Sequence, residues 1–269
     1  MKRITSRDNA VFRRALRLTR KKYRDLTGEF LIEGPNLVGE AVKCGAARLV
    51  IAREGSGYEE TTPDTAVFAE DLFDRLTDTE HSQGVLAVAG KPGADRKTHL
   101  WRQGKDLVIL DRLQDPGNIG TILRTCDGAG IGGAVLMKGT CDPFSQKAVR
   151  ACAGSILRVP VETADDPEEL LAGLREAGVR TFVTVCRDGS SLYEPGAFDG
   201  GAGGRALIIG NEGNGVSETF SRGADVRVTI PMAGKLESLN ASVAAALVIY
   251  EMKRRSLSAI GEKDAGELD

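Results

Sequence analysis

From residue 107 onward, short apolar runs alternate with longer stretches of helical period, and polar or glycine-bearing turns separate them. The runs predict strands over 107–112, 134–137, 158–161, 180–185, 205–209 and 226–230. Helices are predicted between them at 118–128, 143–153, 167–177 and 217–222, with a final one over 238–255. Strictly alternating strands and helices imply a parallel sheet covered on both faces, an α/β class. The last helix places Leu239, Val243, Ala246, Leu247 and Tyr250 on one face, a stripe that packs on a core or on a partner. Its small residues Ala241, Ser242, Ala244, Ala245 and Ala246 permit close backbone approach.

The first part reads as a smaller α/β unit. A basic helix over 9–20 precedes the run Phe30-Leu31-Ile32 and a helix from Pro35 to Lys43, and strands follow at 48–52, 66–69 and 85–89 with a helix around 70–76. Proline, glycine and charges break the periodicity between Lys91 and Thr98. The chain therefore divides into residues 1–90, a linker over 91–104, and residues 105–269. Gly200-Gly201-Ala202-Gly203-Gly204 reads as a flexible surface loop.

Charge modifies this picture at the ends. Net charge is only −2, yet Lys2, Arg3, Arg7, Arg13, Arg14, Arg17, Arg20, Lys21, Lys22 and Arg24 face one acid, Asp8, within the first 24 residues. The segment from Glu262 to Asp269 is acidic instead. A basic N-terminal arm suits phosphate neutralisation, and a solvated helix face explains the same composition equally well. The five cysteines form no C-x-x-C pair, and the two histidines, His81 and His99, lie at no ligand spacing from them. That pattern favours reduced thiols in a cytoplasmic protein and leaves metal chemistry and Cys-His catalysis with few possible actors. No apolar run approaches membrane-spanning length, so a membrane protein is not expected.

One tempting match fails on context. Gly128-Ala129-Gly130-Ile131-Gly132-Gly133 satisfies G-x-G-x-x-G, but it follows a predicted helix and leads into a strand, the reverse of a dinucleotide-binding turn. A glycine turn ending the helix accounts for it better. No Walker A sequence occurs.

Three other turns, each after a short strand, carry the candidate chemistry. The first is Asp115-Pro116-Gly117-Asn118-Ile119-Gly120-Thr121-Ile122-Leu123-Arg124. Asn118 suits a helix cap. Gly120 and Thr121, a turn before Arg124, leave room at its guanidinium, whose fork fits a phosphate or a developing oxyanion, although a surface salt bridge is the ordinary alternative. The second turn, Gly210-Asn211-Glu212-Gly213, combines glycines that allow close backbone approach with a carboxylate that could hold a polar ligand or orient Arg124. In the third, Ile230-Pro231-Met232 precedes Ser238-Leu239-Asn240-Ala241-Ser242, where Ser238 and Asn240 also suit capping and Ile230, Met232 and Leu239 offer an apolar wall for a flat base.

In this order the three motifs resemble the SpoU/TrmH family of RNA ribose 2′-O-methyltransferases, over Leu107 to roughly Arg255. The Glu33-Gly34-Pro35-Asn36 and His81-Ser82-Gln83-Gly84 turns look like the RNA substrate-binding domain that many such enzymes carry first. The resemblance implies a deep trefoil knot in the C-terminal domain, an S-adenosylmethionine methyl donor without a metal, and a homodimer acting on RNA, with 23S ribosomal RNA the expected substrate. Thr184, Gly210, Asn211, Gly213, Ile230, Met232 and Leu239 would then contact the donor, and Asn118, Arg124, Glu212, Ser238 and Asn240 fall on the catalytic positions. A non-catalytic RNA-binding or ribosome-assembly protein retaining the fold, or a transfer RNA 2′-O-methyltransferase, is the alternative.

Overall fold

A computed structural model describes residues 2–58, 64–79, 81–93 and 98–266, with side chains described as far as 255. Residues 94–97, inside the expected linker, lie outside these, as do 267–269 of the acidic tail. The chain forms two compact units, Met1–Asp95 with Asp142–Arg158, and Arg96–Cys141 with Val159–Asp269.

The first unit holds a five-stranded sheet of β1 (Lys2–Ile4), β2 (Glu29–Glu33), β3 (Ala47–Arg53), β4 (Thr65–Phe68) and β5 (Val85–Gly90), in the order β1-β4-β3-β5-β2. β4 runs parallel to β1 and β3, and β5 antiparallel to β2 and β3. Helices α1 (Ala10–Arg17), α2 (Lys21–Thr27), α3 (Pro35–Lys43) and α4 (Glu70–Phe73) complete its first stretch. Phe12, Leu18, Leu31, Ile51, Phe68, Phe73 and Val88 form its core. The basic N-terminus is thus no arm: Ile4 is buried in β1, and α1 turns Phe12 and Ala15 inward. β1 and α2 escape the periodicity because each is short and mostly charged. Gly28 ends α2 at φ 66°, donating its N–H to the Arg24 carbonyl, a left-handed cap that turns the chain into β2.

Residues 142–158 belong to this same unit, so the domain expected to begin at 105 is interrupted there. Asp142 pairs with Arg24 at 2.6 Å with both side chains nearly buried, Phe144 packs on Phe30 at 5.0 Å between ring centroids, and Gln146 Nε2 donates to the Leu76 carbonyl at 2.6 Å. α6 (Gln146–Ala151) buries Ala148 and Val149. Arg24, counted above among the basic N-terminal residues, is the buried half of that ion pair.

The second unit contains β6 (Leu107–Asp111), β7 (Gly133–Met137), β8 (Val161–Ala164), β9 (Arg180–Thr184), β10 (Ser190–Ser191), β11 (Arg205–Gly210) and β12 (Val226–Thr229). Their order is β10-β12-β9-β11-β6-β7-β8, and every pair is parallel. α5 (Pro116–Ala129), α7 (Pro167–Glu176), α8 (Glu218–Gly223) and α9 (Ala241–Gly266) are its helices. Because β12, β9, β11 and β6 are adjacent and parallel, their C-terminal ends share one edge, and the three motif turns leave from it.

Three local expectations change. The strand expected at 158–161 begins only at Val161, because Pro160 has no N–H for the ladder and supplies its carbonyl to Ala134 N instead. Gly200–Gly204 is not a loose loop: a Cβ on Gly203 would lie 1.9 Å from the Ala177 carbonyl oxygen, and one on Gly204 2.7 Å from that of Lys105, so these glycines permit tight backbone packing. The stripe of Leu239, Val243, Ala246, Leu247 and Tyr250 faces away from the core, which α9 meets with Ala241, Ala245, Val248, Ile249 and Met252.

Gly130 caps α5 at φ 69°, so the G-x-G-x-x-G match is a helix terminus, and a Cβ on Gly132 would lie 2.5 Å from Lys105 Cβ. No helix among the described residues is long and apolar enough to cross a membrane.

Candidate active site

Asp115, not Asn118, caps α5, its Oδ1 accepting the Gly117 N–H at 2.9 Å. That displaces the capping expectation for Asn118, which lies one turn further on, buried, with its side chain free for another task. Asn118 Nδ2 donates to Glu212 Oε1 at 3.0 Å, and Asn118 Oδ1 accepts from Asn240 Nδ2 at 3.0 Å. One residue from each motif is thereby joined in a single chain of hydrogen bonds. Asn240 also caps α9, its Oδ1 accepting Ser242 N at 2.9 Å and Ser242 Oγ at 2.7 Å, so capping and site-building coexist.

Glu212 sits at the end of this chain. Burial pushes its carboxyl up, but hydrogen bonds from Asn118 and from the Glu212, Gln114 and Asp115 amides outweigh it and hold the carboxyl below its ordinary range. It is ionised near neutral pH. Its acceptance of Asn118 Nδ2 dictates the orientation of both amides, since each Asn then presents one oxygen and one nitrogen in a fixed direction.

The Gly210–Gly215 loop closes on itself. Asn211 Oδ1 accepts the Gly213 and Asn214 N–H groups at 3.0 Å each, Asn211 N and Gly215 N exchange hydrogen bonds with the opposite carbonyls at 2.9 Å, and a Cβ on Gly210 would lie 2.3 Å from Val216 N. The Gly210 requirement is therefore internal to the loop. Asn211 Nδ2 donates to the Arg112 carbonyl at 2.9 Å, which ties the loop to the end of β6.

Arg112 and Asp111 were not singled out by the motifs. Asp111, 2 % exposed, accepts Ser217 N at 2.5 Å and Arg112 Nε at 3.0 Å, and Arg112 holds a left-handed φ of 61°. Strain of that kind persists where surrounding bonds over-determine it, and here Thr140 Oγ1 accepts the Arg112 N–H while Gln114 Nε2 and Asn211 Nδ2 donate to its carbonyl. The available signal was an acid ending the otherwise apolar strand Leu107–Leu110.

The remaining candidates are placed as follows. Thr184 Oγ1 donates to the Ile208 carbonyl at 3.2 Å at the end of β9. Ile230 and Leu239 are half-buried, Met232 and Ser238 exposed, in the segment between β12 and α9. Ser238 does not join the Asn118 chain, and no hydrogen bond is formed by its side chain among the described residues. Arg124 lies six residues beyond Asn118 on α5, about 9 Å along the axis and a third of a turn around it. Its guanidinium is exposed and makes no hydrogen bond or ion pair among the described residues. Beside it, α5 packs against α9: a Cβ on Gly128 would lie 3.1 Å from Tyr250 Oη.

The site offers backbone groups, fixed amides, one carboxylate and apolar side chains. Among the described residues no group of three or more metal-type ligands exists. Such a donor set fits an uncharged aromatic base against Ile230, Met232 and Leu239 with polar groups at its edge.

Comparison with known proteins converges on the same elements. Residues 106–250 match the SpoU rRNA Methylase family, and residues 9–87 match an MRM3-like substrate binding domain. The 23S rRNA (guanosine(2553)-2′-O)-methyltransferase RlmP of Bacillus subtilis is 34% identical over 257 residues, spanning 94% of this chain and 100% of its own. The AdoMet-bound rRNA methyltransferase from Sinorhizobium meliloti superposes with a TM-score of 0.79 at 29% identity, covering 94% of this chain and 98% of the other. AviRb from Streptomyces viridochromogenes, a SpoU methyltransferase solved with AdoMet, gives 0.77 at 30% identity, covering 93% and 99%. With more than half of its length matched by the family and all three motif turns converging on one sheet edge, the chain belongs to the SpoU rRNA methylase family.

Proposed function

We propose that this protein transfers a methyl group from S-adenosylmethionine to a ribose 2′-hydroxyl of RNA, with 23S ribosomal RNA as substrate. The observation that carries the reading is the Asn240–Asn118–Glu212 hydrogen-bond chain, which gives the three distant motifs one purpose. The Bacillus subtilis relative bears a 23S rRNA 2′-O activity in its name, and two structural relatives are described with AdoMet bound. The expected site of work is the cytoplasm.

Thr184, Gly210, Asn211, Gly213, Ile230, Met232 and Leu239 are the residues to hold the donor, its base against the apolar side chains. When bound, it supplies an electrophilic sulfonium methyl group. The rest falls to this chain. A ribose hydroxyl is a poor nucleophile, so orientation and charge stabilisation do most of the work. Asn118 and Asn240 each keep one amide hydrogen beyond the bonds described, and the ionised Glu212 locks both amides so that each donor has a fixed direction. Arg124 stabilises the emerging alkoxide or binds the adjacent phosphate; a guanidinium does not give up its proton near neutral pH.

Arg124 has no contact with that hydrogen-bond chain in its own subunit, and this favours a homodimer in which it serves a site completed by the partner. Exposed Val243, Leu247 and Tyr250 on α9 supply an apolar face beside it. The trefoil knot, the RNA-binding role of residues 1–90 and the catalytic role of 105–269 are parts of the same reading.

The decisive experiment incubates the protein with methyl-labelled S-adenosylmethionine and 23S rRNA from a strain deleted for its gene, then maps ribose methylation. One new 2′-O-methyl nucleotide is expected. Donor binding with no transfer to any ribosomal or transfer RNA would instead favour a non-catalytic ribosome-assembly role.

A further inference from the structure

Many arginines of this chain are neutralised, although the exposed Arg48, Arg75, Arg124 and Arg227 make no ion pair among the described residues. Arg3 pairs with Glu54, Arg7 with Asp71, Arg53 with Glu70 and Asp74, Arg102 with Glu176, Arg187 with Glu237 and Arg222 with Glu218. The α1–α2 surface is different. Between Asp8 and Asp25 the sequence has no acid, and Arg13, Arg17, Arg20 and Lys22 are exposed without an ion pair among the described residues. Arg14 and Lys21, between them, are paired with Glu29 and Asp25.

The arrangement is directional. Arg13 and Arg17 lie one turn apart on the side of α1 opposite the buried Phe12 and Ala15. The Arg17 guanidinium stands 5.6 Å from the centroid of the half-buried Tyr23 ring on α2, a contact that holds it toward α2, and Arg20 sits at the junction as the first residue before that helix. Four uncompensated cations within ten residues repel one another, and a polyanion relieves that repulsion. Cations interleaved with an aromatic ring are also what a phosphate–ribose backbone meets in RNA-binding surfaces.

We propose that the ridge of Arg13, Arg17, Arg20 and Lys22 is an RNA-phosphate interface that tracks the substrate backbone and positions it without reading sequence. This rests on the assignment of RNA as substrate above. Backbone neutralisation releases counterions, so binding through this ridge is salt-dependent, with a slope set by the number of phosphates covered.

The test compares the full-length protein with a variant carrying Arg13→Gln, Arg17→Gln, Arg20→Gln and Lys22→Gln. Affinity for an unmodified 23S rRNA transcript and for an arbitrary-sequence RNA duplex is measured from low to moderate salt. The variant should bind both RNAs roughly 10²-fold more weakly near 0.1 M salt, and the slope of log K against log[salt] should fall by about 3. S-adenosylmethionine affinity and the melting temperature should stay unchanged. A second variant with the three arginines changed to lysine should bind like the wild type. An unaltered slope in the glutamine variant, with folding intact, would overturn the ridge as an RNA surface. Because binding is read without turnover, a wild type that methylates no RNA would sink the functional reading while the slope still decides this one.

Discussion

A carboxylate held by amides rather than by a cation responds to acid in a defined window. Glu212 is stabilised in its ionised form, so its folded value lies below its unfolded one, near 4.3. Its contribution is therefore fully present above that unfolded value and is lost as pH falls through the folded one. The melting-temperature difference between wild type and Glu212→Gln should be constant above about pH 5 and shrink in more acidic buffer, as differential scanning fluorimetry across pH can check. Arg124 makes a different prediction, because it has no structural partner to lose among the described residues. Arg124→Ala should keep the wild-type melting temperature and donor affinity while methyl transfer drops by about 10²-fold or more. Near-normal turnover would refute its role. The sequence made the identity of these residues legible but not their partners. Asn118 looked like a cap because its side-chain oxygen can accept an unpaired amide hydrogen, and only the competing Asp115 side chain shows why it is free to meet Glu212.

At the scale of elements, period alone located most helices and strands and missed what depends on tertiary contacts. α9 is the clearest instance. Its stripe of large apolar residues suited a core or a partner alike, and the small residues Ala241 and Ala245, with Val248, Ile249 and Met252, are the ones turned inward, leaving Val243, Leu247 and Tyr250 at 47, 40 and 53 % exposed. A strip of that size in water calls for a partner. Leu247→Glu should convert the expected dimer into a monomer by light scattering and depress turnover while the isolated fold stays intact. Arg24 carries the opposite lesson: a residue counted with the basic terminus lies inside the first unit, its guanidinium on Asp142 and on the Leu18 carbonyl at 2.7 Å. Arg24→Ala strands the Asp142 charge and should destabilise that unit by about 3 kcal/mol or more, measurable by urea unfolding.

For the molecule as a whole, linear order and spatial order part company. A composition break near residue 91 suggested two folded units, and nothing in the sequence of 142–158 announces that it clusters with the first, since its amphipathic pattern fits either sheet. The first unit is completed by chain that belongs, by position, to the second half. Expressing residues 98–269 alone would strip Phe144, Ala148 and Val149 of their cover, and that fragment should aggregate or melt well below the intact protein in a thermal scan. The backbone leaves one body, laces into its neighbour and comes home, like a seam stitched there and back. Recombination that swaps the front part of such a gene must bring a matching patch for the returning stitch, so the two units are bound to evolve in step.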